Sequence, residues 1–291
     1  MADLLVSKAH LLCKTGDFPA AVAAYDAVFN REKIGTNKKI DATMSKCRVA
    51  LFLMDLPECK RMLAEAQKLN DVGGDWDRRN RLKMYEAMYL MAVRDVKKAT
   101  DLLASCIATF TCVEICEYND FMFYALLTAV LHTPRVELKK KIISNPQVIT
   151  VIKDVRHMAA FVNSFYECEY AKFFQTMLDV GDAVAADRFM GPHATYLLRE
   201  FRVLAYSQFL EAYRSVTMAT MATTFGMPLE LLDTELSHFI AAGRINAKID
   251  KVGGVIETSR PDKKNAQYLD TIRKGDALLN QIQKLVRVVE V

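Results

Sequence analysis

A short pattern recurs along the first hundred residues. "GDFPAA" (16–21), "MDLPEC" (54–59) and "RDVKKA" (94–99) each hold Asp, an apolar residue, two variable positions, then Ala or Cys. The aspartates are Asp17, Asp55 and Asp95, so the period is 38 and then 40 residues. Four places after the small residue stands an apolar or aromatic one: Tyr25, Leu63 or Leu103. Asp suits a turn or helix N-cap, and a small residue lets two helices approach closely. A period of this length built on helix pairs points to a solenoid, because each pair can bury its apolar face only against its neighbours. A weaker fourth copy is "CEYAKF" (168–173), with Glu169 in the Asp position.

Helical periodicity continues to about residue 243, broken at "HTPR" (132–135), "SNPQ" (144–147), "VGD" (180–182) and "MGPH" (190–193). The expected fold is therefore mainly α: a right-handed, tetratricopeptide-like solenoid followed by a smaller module and a long last helix. The expected divisions are 1–111 for regular repeats, 112–205 for irregular helical repeats, 206–262 for a winged helix, and 263–291 for the C-terminal helix.

The winged-helix expectation comes from 215–259. "SVTMATMATTFG" reads as a short helix stopped near Gly226, and a second helix runs from Pro228 to Ala242 with Gly243 beyond its end. "INAKI" (245–249) alternates apolar and polar residues, and Gly253-Gly254 can turn the chain into a second strand, "VIET". Such a shape is often met on DNA. Here the candidate recognition helix contains no Lys or Arg and carries Glu230, Asp233 and Glu235, which repel phosphate. Arg244, Lys248 and Lys251 do not offset them, and the whole chain carries only +4. Contact with protein is the better use, through a strand edge at Ile245, Ala247 and Ile249.

After Pro261, the residues Tyr268, Ile272, Gly275, Leu279, Ile282, Val286 and Val289 fall at alternating four- and three-residue steps, a heptad seam. Leu269, Leu278, Leu285 and Val288 widen it. Two uses compete: folding back on the module, or bundling with helices of other chains. The width and length of the apolar face favour the bundle. "DWDRRNRLK" (75–83) also admits two readings. One is a solvated helix start with local ion pairs; the other is an arginine–aromatic anchor for a partner, made of Trp76, Arg78 and Arg79.

No chemistry of catalysis stands out. No Gly-rich phosphate loop, H-E-x-x-H or G-x-S-x-G occurs, and the five histidines are scattered. Cys112 and Cys116 form the one close cysteine pair and lack further metal ligands nearby; the rest read as small buried hydrophobes. The longest apolar run, "FMFYALLTAVL" (121–131), is about half a membrane span, and Asp3 and Lys8 interrupt the start where a signal peptide needs an apolar core. The expectation is a soluble, intracellular, non-enzymatic protein without cofactor, metal or small-molecule substrate.

Four longer stretches carry a resemblance: "GGDWDRRNRLK" (73–83), "FIAAGRINAKIDKV" (239–252), "ETSRPDKKNAQY" (257–268) and "KGDALLNQIQKLVRV" (274–288). The chain resembles the PCI subunits of large multisubunit complexes. More narrowly, it resembles the 26S proteasome regulatory-particle lid family that is paralogous to the first signalosome subunit. The resemblance implies a non-catalytic scaffold, cytoplasmic and nuclear, acting in ubiquitin-dependent protein catabolism. Its partners would be other PCI and MPN subunits of the lid and the ATPase ring. It also implies a winged helix beside those of other PCI subunits and a last helix in a shared bundle. Relatives in that family begin with a further N-terminal helical region, whereas this chain begins inside the first recognisable repeat. PCI subunits of the signalosome or of translation initiation factor three are the alternative, and a nucleic-acid adaptor a more distant one.

Overall fold

A computed structural model describes residues 2–30, 34–258 and 263–289. Its contacts divide the chain into two compact units, Met1–Arg202 and Val203–Val291.

The first unit opens with three helix pairs: α1 (Ala2–Thr15) with α2 (Phe18–Phe29), α3 (Thr36–Leu53) with α4 (Leu56–Gly73), and α5 (Trp76–Val93) with α6 (Val96–Cys106). The repeated motif forms the turn inside each pair. Asp17, Asp55 and Asp95 are the N-caps of α2, α4 and α6, and each carboxylate accepts from the backbone N–H three residues on. Such a cap contributes about 1 kcal/mol. The residue just before each cap is left-handed: Gly16, Met54 and Arg94, with φ of 85°, 58° and 69°. This bend lets the cap's own N–H reach back to the preceding helix, from Asp17 to Leu12 O, Asp55 to Ala50 O and Asp95 to Leu90 O. Ala21, Cys59 and Ala99 are each 0% exposed, as close helix packing requires. Cys47 Sγ of α3 lies 3.4 Å from Cys59 Sγ of α4 in that seam.

The fourth copy shares the backbone and departs in the side chains. Cys168 is left-handed at φ 63°, and Glu169 N–H donates to Ser164 O. Glu169 makes no side-chain cap, and Phe173 fills the place of the small residue. It joins α10 (Met158–Glu167) to α11 (Tyr170–Ala185). Phe173 stacks on Phe161 at 4.9 Å, and Phe201 meets Phe161 edge-on at 5.1 Å. Between the third and fourth pairs, α7 (Tyr118–His132) is buried almost throughout, followed by the short α8 (Arg135–Leu138) and α9 (Pro146–Val151). "LKKKI" runs into a π-helical turn, Lys139–Ile143, with its lysines exposed and Leu138 and Ile142 buried. Cys112 and Cys116 lie in a non-helical turn, so their spacing does not place them on one helix face.

The unit boundary falls inside α12 (Ala194–Ala212). From Val203 onward the order is the end of α12, β1 (Ser215–Thr217), α13 (Met218–Phe225), α14 (Leu229–Ala241), β2 (Ala247–Asp250), β3 (Val255–Thr258) and α15 (Lys263–Val289). The strands form one antiparallel sheet in the order β1-β3-β2, the arrangement of a winged helix. Its core gathers Tyr206, Phe225, Leu232, Leu236, Phe239 and Ile256.

Two local expectations are corrected here. Ser215–Thr217 form a strand, since Val216 pairs with Ile256 and is buried; the helix starts only after Thr217, which caps it. The wing turn spans four residues, with Asp250 Oδ1 accepting from the N–H groups of Val252 and Gly253 and Gly254 left-handed at φ 61°.

Candidate interaction surfaces

The sheet register identifies which backbone groups are free. Met218 N–H donates to Gly254 O and Thr258 N–H donates to Arg214 O, so alternate β3 residues 254, 256 and 258 face β1. Val255 and Glu257 then face β2, opposite Asp250 and Lys248. Lys248 and Asp250 are thus tied into the sheet, whereas the N–H and C=O of Ala247 and Ile249 point outward from the edge strand. The side chains behave differently: Ile245 and Ala247 are buried at 5% and 6% exposure, and Ile249 is half-buried. This surface offers backbone, because its apolar side chains already serve the core.

The acids of α14 are partly engaged inside the unit. Asp233 pairs with Lys251 at 3.0 Å, and Glu235 accepts from the Tyr206 hydroxyl at 2.7 Å. Both would lose these partners in facing a phosphate backbone. Leu229, placed on the apolar face by its spacing, is about half exposed, and the buried stripe starts at Leu232.

The α15 face is uncovered. Tyr268, Ile272, Leu279, Ile282, Leu285 and Val286 are between 45% and 67% exposed. A Cβ added at Gly275 would meet nothing within 4 Å, so no neighbour among the described residues presses on that position. The side chain of Val289 lies outside the described residues. A contiguous apolar stripe of this length on a helix is unusual on a protein surface without a partner.

The arginine stretch separates into two parts. Arg78 is held within the chain: Nε and Nη2 reach the Asp41 carboxylate at 3.0 and 2.6 Å, and Nη1 reaches Asp75 at 2.5 Å. Arg81 donates to Glu114, which also accepts from the Tyr85 hydroxyl at 3.2 Å. Burial pushes the Glu114 carboxyl upward, but the hydrogen bond and charge of Arg81 outweigh it and hold the group below the usual glutamate value. These pairs join α3, α5 and the turn before α7. Sequence spacing suggested only the local partners, Asp75 and Asp77. Trp76, 62% exposed, and Arg79 remain on the surface.

Among the described residues no group of three His, Cys, Asp or Glu side chains could hold a metal ion. Burial raises the thiol pKa of Cys116 to about 12 and that of Cys112 further, leaving both protonated and poorly nucleophilic. No helix among the described residues is long and apolar enough to cross a membrane.

Comparison with known proteins accounts for nearly the whole chain. Residues 1–141 match the family model of 26S proteasome subunit RPN7, and residues 177–260 match that of the PCI domain. Residues 267–289 match a model described as the 26S proteasome regulatory subunit RPN7/PSMD6 C-terminal helix. A 26S proteasome non-ATPase regulatory subunit 6 of Dictyostelium discoideum is 43% identical over 289 residues, covering 99% of this chain and 75% of that protein. The protein of the same name in Oryza sativa subsp. japonica is 45% identical over 257 residues, covering 88% of this chain and 66% of its own length. A COP9 signalosome complex subunit 1b of Drosophila melanogaster is more distant, 24% identical over 173 residues, 60% of this chain and 33% of that protein. From the repeated capped turns to the terminal helix, the chain belongs to the RPN7/PSMD6 family of 26S proteasome regulatory subunits.

Proposed function

We infer that the protein is a non-catalytic scaffold subunit of the proteasome regulatory-particle lid, organising lid assembly for ubiquitin-dependent degradation. The observation that carries this is α15: a helix matched by the family's own C-terminal-helix model presents an apolar stripe that nothing among the described residues covers. Burying apolar surface of that kind against a partner is favoured in water. Other subunits of the proteasome are the partners the family implies, with PCI and MPN subunits of the lid and the ATPase ring as the specific neighbours we propose. The β2 edge gives a second contact, through which a neighbour's strand extends the sheet. Four divisions at 1–111, 112–205, 206–262 and 263–291 and residence in cytoplasm and nucleus complete the reading.

The test is affinity purification of the tagged chain from cells, with identification of bound proteins, alongside a form lacking residues 263–291. The full chain should bring down lid subunits. The shortened chain should melt as the full one does and bring down none. Recovery of signalosome subunits instead, or undiminished recovery of lid subunits without α15, would overturn the assignment.

A further inference from the structure

The repeated turn sets a second regularity inside the helix pairs. In the second and fourth pairs, the residue eight places before the N-cap meets the residue four places after it. These are Cys47 and Cys59, with sulfurs 3.4 Å apart, and Phe161 and Phe173, stacked at 4.9 Å. The same positions hold Ala9 and Ala21 in the first pair and Ala87 and Ala99 in the third. All of these side chains are at most 1% exposed. Alanine in two pairs shows that the crossing asks for a small residue and for no chemistry. One cysteine there would serve equally well as a small hydrophobe. Cysteines at both positions, with their sulfurs in contact, add a reactivity that packing does not require.

We propose that Cys47 and Cys59 are a modification site, where sustained exposure to hydrogen peroxide forms a reversible disulfide that fastens α3 to α4. One sulfur, as thiolate, attacks a peroxide oxygen. The S–O bond forms, the O–O bond breaks, and the departing hydroxide takes up the thiol's proton as water. The second sulfur then attacks the sulfenic sulfur; the S–S bond forms, the S–O bond breaks, and a second water leaves. The two thiols together lose two electrons and two protons, and one peroxide becomes two waters.

The surroundings set the rates of the two steps apart. The hydrogen bond with Cys59 and burial push the Cys47 thiol pKa upward, so thiolate is scarce. The first step is therefore slow and waits on local opening of the pair. The second is fast, because the other sulfur already stands in contact. The site thus accumulates oxidation over long exposure and ignores a brief pulse. The bond restrains the unfolded chain between residues 47 and 59, so the oxidised protein is the more stable form. A dithiol reverses the modification by thiol–disulfide exchange. The site is separate from the β2 edge and from α15 and does not rest on the assembly reading.

The test treats the purified, folded chain with excess hydrogen peroxide at neutral pH, blocks the remaining thiols with iodoacetamide, and maps tryptic peptides by mass spectrometry. Trypsin cuts after Lys46, Arg48 and Lys60, so peptides 47–48 and 49–60 should appear joined, and should separate on reduction with dithiothreitol. The Tm should rise by about 5–10 °C as the joined peptide accumulates and return on reduction. Cys47→Ala and Cys59→Ala give the second pair the alanine that the first and third already carry, so both should fold. Neither should give the joined peptide or the rise in Tm. Prolonged peroxide treatment that leaves both thiols free to alkylate after unfolding would overturn the proposal. So would sulfinic acid at either residue in place of the joined peptide, or a rise in Tm that persists in both alanine variants.

Discussion

A proline scan of β2 tests the register argument and the strand-edge contact together. Lys248 donates its N–H into the sheet, so Lys248→Pro removes that bond, leaves the Glu257 carbonyl unpaired, and should destabilise the isolated chain by about 2–4 kcal/mol. The Ile249 N–H points outward, so Ile249→Pro removes no internal bond. What it loses is a half-buried side chain, which Ile249→Ala also loses, at about 1–2 kcal/mol. Thermal or urea unfolding should therefore place Ile249→Pro within about 1 kcal/mol of Ile249→Ala and well above Lys248→Pro. Association should rank the same variants differently. If a neighbouring PCI subunit adds its strand to β2, Ile249→Pro forfeits at least one inter-chain bond and should bind that neighbour about tenfold more weakly than Ile249→Ala. Equal binding by the two Ile249 variants would refute the edge contact. Equal unfolding by the two proline variants would refute the register.

Three further outcomes follow from other parts of the molecule. Leu279→Asp with Ile282→Asp should leave melting unchanged, because both side chains are about half exposed, yet abolish co-purification with lid subunits. Met54→Gly should raise stability by about 0.5–1 kcal/mol, seen as a higher Tm, because the left-handed φ of 58° strains a side chain and not glycine. Glu114→Gln should cost about 1.5–3 kcal/mol at neutral pH. Because the folded pKa of Glu114 is depressed, its contribution is complete above the unfolded value near 4.5 and is lost as pH falls through the folded value. An acid-unfolding curve should show the variant and the native chain converging below about pH 4.5.

What could be read from sequence is what is local. The Asp17, Asp55 and Asp95 caps accept from an N–H three residues away, and the α15 seam is a periodicity within one helix. Features that depend on distant residues were hidden. β1 has three residues and exists because Ser215–Thr217 pair with strand residues forty positions later. Arg78 and Arg81 carried a visible charge pattern, but Asp41 and Glu114 lie 37 and 33 residues away in sequence. Met54, Arg94 and Cys168 gave no sign of a left-handed backbone, since nothing in those side chains favours it; position before a cap was the available signal. Ala247 and Ile249 were assigned to contact by alternation alone. The structure divides that assignment into buried or half-buried side chains and outward backbone.

The exposed stripe of α15 also limits how the chain can be held. Ile272, Leu279, Ile282, Leu285 and Val286 are 45–63% exposed, so about half of each side chain remains to be buried. At about 1.5–3 kcal/mol for full burial, the five together contribute about 4–8 kcal/mol. Association alone costs about 4–15 kcal/mol in lost translational and rotational freedom. If α15 docks on a partner as proposed, the helix by itself is therefore near balance and would become an effective anchor only once a second contact, such as the β2 edge, has fixed the chain. Linked weak sites of this kind bind far more tightly than either alone, because the second contact forms within one complex. A synthetic peptide of residues 263–289, added in excess to a reconstitution of the lid, should then fail to compete with the full chain. If the peptide displaced the full chain at comparable concentration, α15 would carry the affinity unaided and the shared-contact argument would fall.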